Sequence, residues 1–188
     1  MKLTLRNIII GVASLLAIVA FCLMFATTLN AVQKIGGVEY KVKLLGNVLG
    51  STNMSVDGTK VAIGQKYAVC ALSLAGYIMV IVGAIGALVA ALLVKNQSTK
   101  RLILAIAAVV ILVGAIFVLV QKSSFVTSEA NRRFAASGKT TAEDKKLIHD
   151  EVASEFKNYK IGAAGIIAGV LGILSSLGLV AAQFVRED

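Results

Sequence analysis

Residues 161–185 form an uncharged stretch of 25 residues, which constrains the fold of this chain more than any other part of it. A helix needs about 20 mainly apolar residues to cross the hydrocarbon core of a bilayer. A single segment in that core can satisfy its backbone hydrogen bonds only as a helix. The stretch therefore predicts a transmembrane helix.

Three further uncharged stretches lie at 8–29, 68–94 and 102–120. Hydrophobic residues make up 57% of the 188 residues, and the mean hydropathy is +0.85, well above the range of soluble domains. The first stretch is too long for the apolar core of a signal peptide, so it is interpreted as a retained span. The sequence thus predicts an all-α membrane protein: a four-transmembrane-helix bundle forming one domain over residues 1–188, with exposed loops at 30–67 and 121–160.

Two of the predicted spans carry small residues at helical spacing. Such stripes let the backbones of two helices approach closely. The neighbour is either another helix of the same chain or a second subunit, and the second and fourth spans are natural partners for each other. The predicted helix-packing residues are Ala164, Gly165, Ala168, Gly169, Gly172 and Ser176 in the fourth span, and Gly83, Ala87 and Ala91 in the second.

The first long loop has the pattern of a small β-sheet. Apolar and charged residues alternate over 38–44, which is typical of a strand with one buried face. Asp57 and Gly58 form a hairpin signal between the segments 53–56 and 59–63. We therefore expect an antiparallel sheet of two or three strands in this loop.

The second long loop has the pattern of a helical hairpin. Gly138 is a stop signal, and Thr140 with Glu143 matches a capping box that begins the return helix. The third span is expected to continue out of the membrane, turn at Gly138 and return as a helix that runs into the fourth span. The apolar stripes predicted to supply the contacts of this exposed hairpin are Val126, Ala130 and Phe134 on one arm, and Ile148, Val152, Phe156 and Tyr159 on the other.

Four spans place both termini on one side of the membrane. The Lys and Arg residues are densest beside the span ends at the termini and in the turn at 95–101, which favours cytoplasmic termini in the cell membrane. Cys22 and Cys70 both lie in apolar stretches, so we expect two buried free thiols.

The residues that carry chemistry are sparse. The four apolar stretches contain no ionisable residue, which argues against proton-coupled transporters, pumps and intramembrane hydrolases. His149 has no His, Cys or carboxylate three or four residues away, and Glu151 with Glu155 fits a charged solvent face. We expect no enzyme activity, no cofactor or metal and no nucleic-acid binding, and the sequence identifies no small-molecule substrate.

The order of elements resembles the claudin-like tetraspan arrangement: four spans, strands in the first loop, a short second link and an extended third helix. The resemblance is topological only, because the Gly-Leu-Trp signature and the first-loop cysteine pair of claudins have no counterpart here. The chain is therefore assigned to no family, and no residue roles are carried over.

The leading hypothesis is a non-catalytic structural or interaction subunit, which contacts the lipid bilayer and either further copies of itself or another membrane protein. An accessory subunit of a transport or enzyme complex is a variant of this hypothesis. The alternative is an oligomeric channel, because rings of hydroxyl groups can line a pore. The hydroxyl residues available for that role are Ser14, Thr27, Thr28, Ser73, Ser175 and Ser176.

Overall fold

The computed structural model describes residues 4–35, 37–50, 53–62 and 66–185, and the fold is mostly helical. The α-helices are α1 (Leu5–Cys22), α2 (Ala71–Leu93), α3 (Gln97–Leu119), α4 (Gln121–Ala136), α5 (Ala142–Glu155) and α6 (Ala163–Phe184). The strands are β1 (Thr28–Ile35), β2 (Val38–Leu45), β3 (Asn53–Val56), β4 (Thr59–Ala62) and β5 (Lys160–Ile161).

Four of these helices are long and apolar enough to cross a membrane: α2, α3, α6, and α1 together with the 3-10 turn Leu23–Ala26. Each matches one predicted span, although the bounds differ. The first predicted span reached residue 29, but β1 already begins at Thr28, and Leu29 is fully buried in the core around the sheet. Leu29 is apolar because it packs in that core, and the same apolar character led to its inclusion in the predicted span.

Two helices begin before the apolar stretches that predicted them. The side chain of Asn96 accepts hydrogen bonds from the backbone N–H groups of Ser98 (2.9 Å) and Thr99 (3.4 Å), which lie in the first turn of α3. Because α3 begins at Gln97, most of the basic turn expected at 95–101 is helical. α1 likewise includes Arg6, which is buried and donates to Gln97 Oε1 at 2.7 Å. The helices therefore contain ionisable residues near these ends that the apolar stretches did not include.

The chain divides into two compact units. The helical unit comprises Met1–Leu23, Ala75–Leu119 and Ile166–Asp188, and the sheet unit comprises Met24–Leu74 and Val120–Gly165. The sheet unit is thus assembled from the two loops that the sequence placed between the first and second and between the third and fourth spans.

Within the helical unit, α2 and α3 cross backbone against backbone at Gly76 and Gly114. A Cβ atom added to Gly76 would lie 2.6 Å from the carbonyl oxygen of Gly114, and one added to Gly114 would lie 2.7 Å from the carbonyl oxygen of Gly76. Any side chain there must push the two helices apart, because the obstructing atoms belong to backbone.

We expect Gly114→Leu to destabilise the helical unit by about 1–3 kcal/mol or more, because an overpacked contact cannot relax without moving a helix. The measurement is the free energy of unfolding in an SDS titration of the purified protein. Gly86→Leu is the matched control, because a Cβ atom at Gly86 meets no atom within 4 Å. Equal stability of the two variants would contradict the close α2–α3 contact.

In the sheet unit, the strands form one antiparallel sheet in the order β4-β3-β2-β1-β5. The predicted hairpin between β3 and β4 is confirmed, with positive φ at both Asp57 (48°) and Gly58 (92°), as a tight primed turn requires. The predicted number of strands, two or three, was too low, because β1 begins within the predicted first span and β5 comes from the other loop. Ile63, at the end of the predicted second arm, lies outside the described residues.

The helical hairpin of α4 and α5 turns at Gly138, whose φ of 67° fits a helix C-terminus. The cap of α5 lies one residue later than predicted, since Thr141 Oγ1 accepts from the N–H of Asp144 at 3.1 Å. The expected continuous helix from α5 into the fourth span is wrong. α5 ends at Glu155, and β5 pairs with Leu29 and Asn30 of β1 before α6 begins.

Alternate residues of β1 and β2 point into a hydrophobic core that α4 and α5 complete. At its centre, the ring of Phe156 packs edge-on against Phe125, with centroids 4.8 Å apart, and contacts Tyr159 at 5.0 Å and Tyr67 at 5.8 Å. The buried core residues are Leu29, Ala31, Val42, Leu44, Cys70, Phe125, Val126, Ala130, Val152, Phe156 and Tyr159. Neither cysteine forms a disulfide, and only Cys70 is buried as expected, since Cys22 is exposed on α1.

Candidate interaction surface

The small residues predicted on the fourth span lie against atoms of the same chain. A Cβ atom on Gly169 would lie 2.5 Å from Leu119 Cγ, and one on Gly172 would lie 2.8 Å from Ala115 Cβ. Ser176 Oγ donates to the carbonyl oxygen of Ala108 at 2.8 Å. Ala168 is also buried, whereas Ala164 is half-buried.

Gly165, the remaining residue of that stripe, belongs to the sheet unit. A Cβ atom added to it would overlap the side chain of Gln121. On α2, Gly83 lies against α3, with a Cβ atom there 2.5 Å from Ile111 Cγ1. Ala87 is fully buried and Ala91 is half-buried. Much of both stripes is therefore covered within the chain, and the contacts found run mainly to α3.

The prediction that the apolar stripes of the helical hairpin supply exposed contacts requires a correction, because most of these residues are not available to a partner. Five of the seven residues are buried in the core of the sheet unit, and Phe134 and Ile148 are half-buried. The stripes face the sheet and each other, since α4 and α5 supply the cover that the inner face of the sheet needs. The buried five are Val126, Ala130, Val152, Phe156 and Tyr159.

Five of the six hydroxyl residues considered for a pore are also buried inside the chain. Ser176 donates to a carbonyl oxygen of α3, and Thr27 Oγ1 donates to the carbonyl oxygen of Met24 at 2.8 Å. Thr28 alone is half-buried. Because these five hydroxyl groups are buried, they do not lie on the surface of the chain. The buried five are Ser14, Thr27, Ser73, Ser175 and Ser176.

A buried carboxylate organises the charged part of the sheet unit. Glu129 on α4 has no exposed surface and accepts hydrogen bonds from Arg132 Nη2 at 2.6 Å and from Arg133 Nε at 2.9 Å. It also accepts from the backbone N–H of Ala68 at 2.9 Å. Arg133 Nη1 in turn contacts Glu155 Oε2 on α5 at 2.8 Å. The network ties the segment before α2 to both arms of the helical hairpin.

The electrostatics of this network keep Glu129 ionised. Burial alone would raise the pKa of its carboxyl group, but hydrogen bonds from Arg132, Arg133 and the Ala68 N–H outweigh burial and hold the pKa below its usual value. Burial also opposes the charge on Arg133, yet its bonds to Glu155 and Glu129 raise its pKa. The carboxylate of Glu129 is thus held by three donors within the sheet unit, and its charge is balanced by the two arginines.

The outer face of the sheet has a different character. Because Leu29, Ala31, Val42 and Leu44 point into the core, the residues between them point outward. The strand register aligns one outward residue from each of the five strands, in the row Lys160, Asn30, Lys43, Ser55 and Lys60. The row has three lysines and no carboxylate, and all three lysines are exposed.

A groove of about 550 Å³ lies beside this row, within the size range of ligand-binding clefts. Three lysines and two amide side chains line it, together with apolar side chains. The polar residues are Lys41, Lys43, Lys160, Asn30 and Asn158. The groove combines positive charge with hydrogen-bonding groups, and no carboxylate lines it. It is suited to bind an anionic group.

The residues considered for metal binding or catalysis are dispersed. In the part of the chain that the structure describes, no group of three His, Cys, Asp or Glu residues could hold a metal ion. His149 Nδ1 lies 3.7 Å from Asp150 Oδ1, and Glu155 is engaged by Arg133. These contacts are those of a charged helix face.

Sequence reasoning missed two features of the sheet unit, the Glu129 ion network and the basic row. Glu129 with Arg132 and Arg133 shows the i, i+3 and i, i+4 spacing of helical ion pairs, which is a usable signal, although it does not reveal burial. The basic row has no local signal, since its members come from five separate strands and are aligned by long-range pairing. A comparison with models of known protein families found no match, and a comparison with curated proteins found none either.

Proposed function

We propose that the chain is an integral protein of the cell membrane, with four spans and both termini in the cytoplasm. In this proposal it is a non-catalytic interaction subunit, which joins further copies of itself or other proteins in a membrane complex. The two segments of the sheet unit would then lie together outside the membrane, because each connects two consecutive spans.

The surface of the helical unit supports the membrane part of the proposal. Large apolar side chains point away from the rest of the unit on all four helices, including Leu15 (59% exposed), Val82 (56%), Val109 (60%) and Leu177 (58%). Polar side chains such as Ser14 and Ser175 are instead fully buried. So many exposed apolar side chains on four helices are unfavourable in water and are expected against lipid.

The single observation that carries the interaction part is the exposed basic row on the outer face of the sheet. The sheet unit already covers its inner face with α4 and α5, so the outer face is not needed to complete its core. Yet this face presents Lys43, Lys60 and Lys160 in one line across the sheet. A rigid surface with one sign of charge favours association with a partner of complementary charge.

The proposal is tested by the mass of the protein extracted directly from its native membrane into polymer-bounded nanodiscs, after subtraction of lipid and polymer. We expect a defined mass above 19.6 kDa, because at least one further chain is present. The double variant Lys43→Glu and Lys160→Glu is expected to lower that mass, because it reverses the charge of the row.

The matched control is Lys145→Glu and Lys146→Glu, which changes two exposed lysines on α5 by the same charge and is expected to leave the mass unchanged. A mass of one chain in the unmodified protein would overturn the proposal. An equal loss of partners in both double variants would show that net charge, and not the basic row, holds the complex together.

A further inference from the structure

One edge of β1 is only partly paired. β1 runs from Thr28 to Ile35 and pairs with β2 along its whole length, but β5 pairs only with Leu29 and Asn30. Among the described residues, no other strand pairs with β1 on the β5 side. Beyond Asn30, this side of β1 is therefore an open sheet edge.

The direction of the main-chain groups follows from the register. The N–H of Gly162 donates to the carbonyl oxygen of Thr28 at 2.8 Å, so the even-numbered residues of β1 direct their main-chain groups towards β5. Val32 and Lys34 continue this series past the last residue of β5. Their N–H and C=O groups thus point to the open side, with the spacing that an added strand requires.

Two adjacent grooves lie along this edge. The 550 Å³ groove described above contains Val32 and Asn158 in its lining, and a second groove of about 610 Å³ shares both residues and reaches Lys34. Neither groove is lined by a carboxylate. Lys34 is engaged by Glu39 at 2.9 Å, whereas Lys41, Lys43 and Lys160 border the first groove.

We propose that the open edge of β1 at Val32 and Lys34 binds an extended acidic segment of a partner protein as an added β-strand. Main-chain hydrogen bonds hold the segment, and its outward carboxylates contact Lys41, Lys43 and Lys160. The inference deepens the proposed interaction function, on which it rests, by naming the chemistry of the partner.

Two features select this partner over others. The open main-chain donors and acceptors match a polypeptide backbone, which acidic lipids and polysaccharides do not have. Lysines at a sheet edge disfavour pairing with the same edge of a second copy, because two such edges repel each other. An acidic strand from a different protein matches both the main-chain groups and the positive charge of this edge.

The test uses the full-length protein in nanodiscs of zwitterionic lipid and a fluorescein-labelled peptide of seven alternating Thr and Glu residues, with binding measured by fluorescence anisotropy. We expect saturable binding that weakens by about tenfold or more with Lys43→Glu and Lys160→Glu, because two charge-assisted contacts are lost. The α5 control, Lys145→Glu with Lys146→Glu, is expected to bind as the unmodified protein does.

Backbone pairing is tested first with modified peptides and then with a variant of the protein. Two further peptides carry N-methyl groups on one or the other alternate set of residues, which blocks hydrogen bonding along one edge and keeps the charge. One of the two is expected to lose binding by about tenfold or more, because an added strand uses only one of its edges. Val32→Pro, which removes one outward N–H and no β1–β2 bond, is expected to act in the same direction, with Val32→Thr as its control.

Equal binding of the two methylated peptides would overturn the inference in favour of a polyanion surface that binds acidic lipid or polysaccharide as well. Failure of the unmodified peptide to bind would also overturn it. These results are distinguishable from failure of the proposed function, because the mass in native membranes is measured independently of the peptide. If the protein has the mass of a complex but does not bind the peptide, only the strand-addition site is contradicted.

Discussion

Phe156→Ala is expected to lower the free energy of unfolding of the sheet unit by about 3–5 kcal/mol, the usual cost of deleting a buried aromatic ring. The ring is almost fully buried and contacts Phe125, Tyr159 and Tyr67. Its loss leaves a cavity at the point where α4, α5 and the sheet meet. Hydrogen exchange of the β1 and β2 amides measures the opening free energy of this unit specifically.

The matched control for Phe156 is Leu147→Ala on α5, the helix that ends just before Phe156. Leu147 is 65% exposed, so its truncation is expected to change the opening free energy by no more than about 0.5 kcal/mol. Phe156→Leu should lie between the two, because leucine refills part of the cavity. Similar exchange rates in Phe156→Ala and Leu147→Ala would contradict the position of Phe156 at the centre of the core.

Glu129→Ala is expected to cost about 3 kcal/mol, because it removes one partner of a buried ion network. The N–H of Ala68 loses its acceptor, and Arg132 and Arg133 are left as neighbouring like charges. Both arginines are partly exposed, so water recovers some of their solvation and limits the loss. Glu151→Ala, an exposed carboxylate on α5, is the control and should be nearly neutral.

The lowered pKa of Glu129 also predicts how this stability depends on pH. A carboxyl group whose folded-state pKa is below its unfolded value adds stability above the unfolded pKa, and that stability is lost as the pH falls through the folded pKa. We therefore expect the loss to begin near the unperturbed value of 4.5 and to grow below it. Glu129→Gln removes this part of the acid dependence. An unchanged acid profile in Glu129→Gln would contradict the ionised network.

The acid profile has a second contributor. Asp144 also has a lowered pKa, because the Thr141 hydroxyl and Lys139 bind its carboxylate. Its share should remain in Glu129→Gln and disappear in Asp144→Asn. Comparison of the two variants by hydrogen exchange thus separates the cap of α5 from the Glu129 network.

The amino-acid sequence alone was sufficient for the features that depend on local signals. A long uncharged stretch has few alternatives to a helix, so the four long apolar helices were predicted correctly. The turn at Asp57 and Gly58 and the stop at Gly138 were confirmed, because each depends on the backbone freedom of glycine or aspartate at one position. In these cases the information lies within a few consecutive residues.

Only the tertiary structure decided the features that join distant segments. Leu29 has the same apolar character as the span before it, and its burial in the sheet depends on pairing with β2 and β5. Nothing local marks Lys160 and Ile161 as a strand, and Ile161 was predicted as the first residue of the fourth span. The contact of Gly76 with Gly114 and the burial of Glu129 likewise arise from packing. Apolar character determines that a residue leaves water, whereas long-range pairing and packing determine which partner covers it.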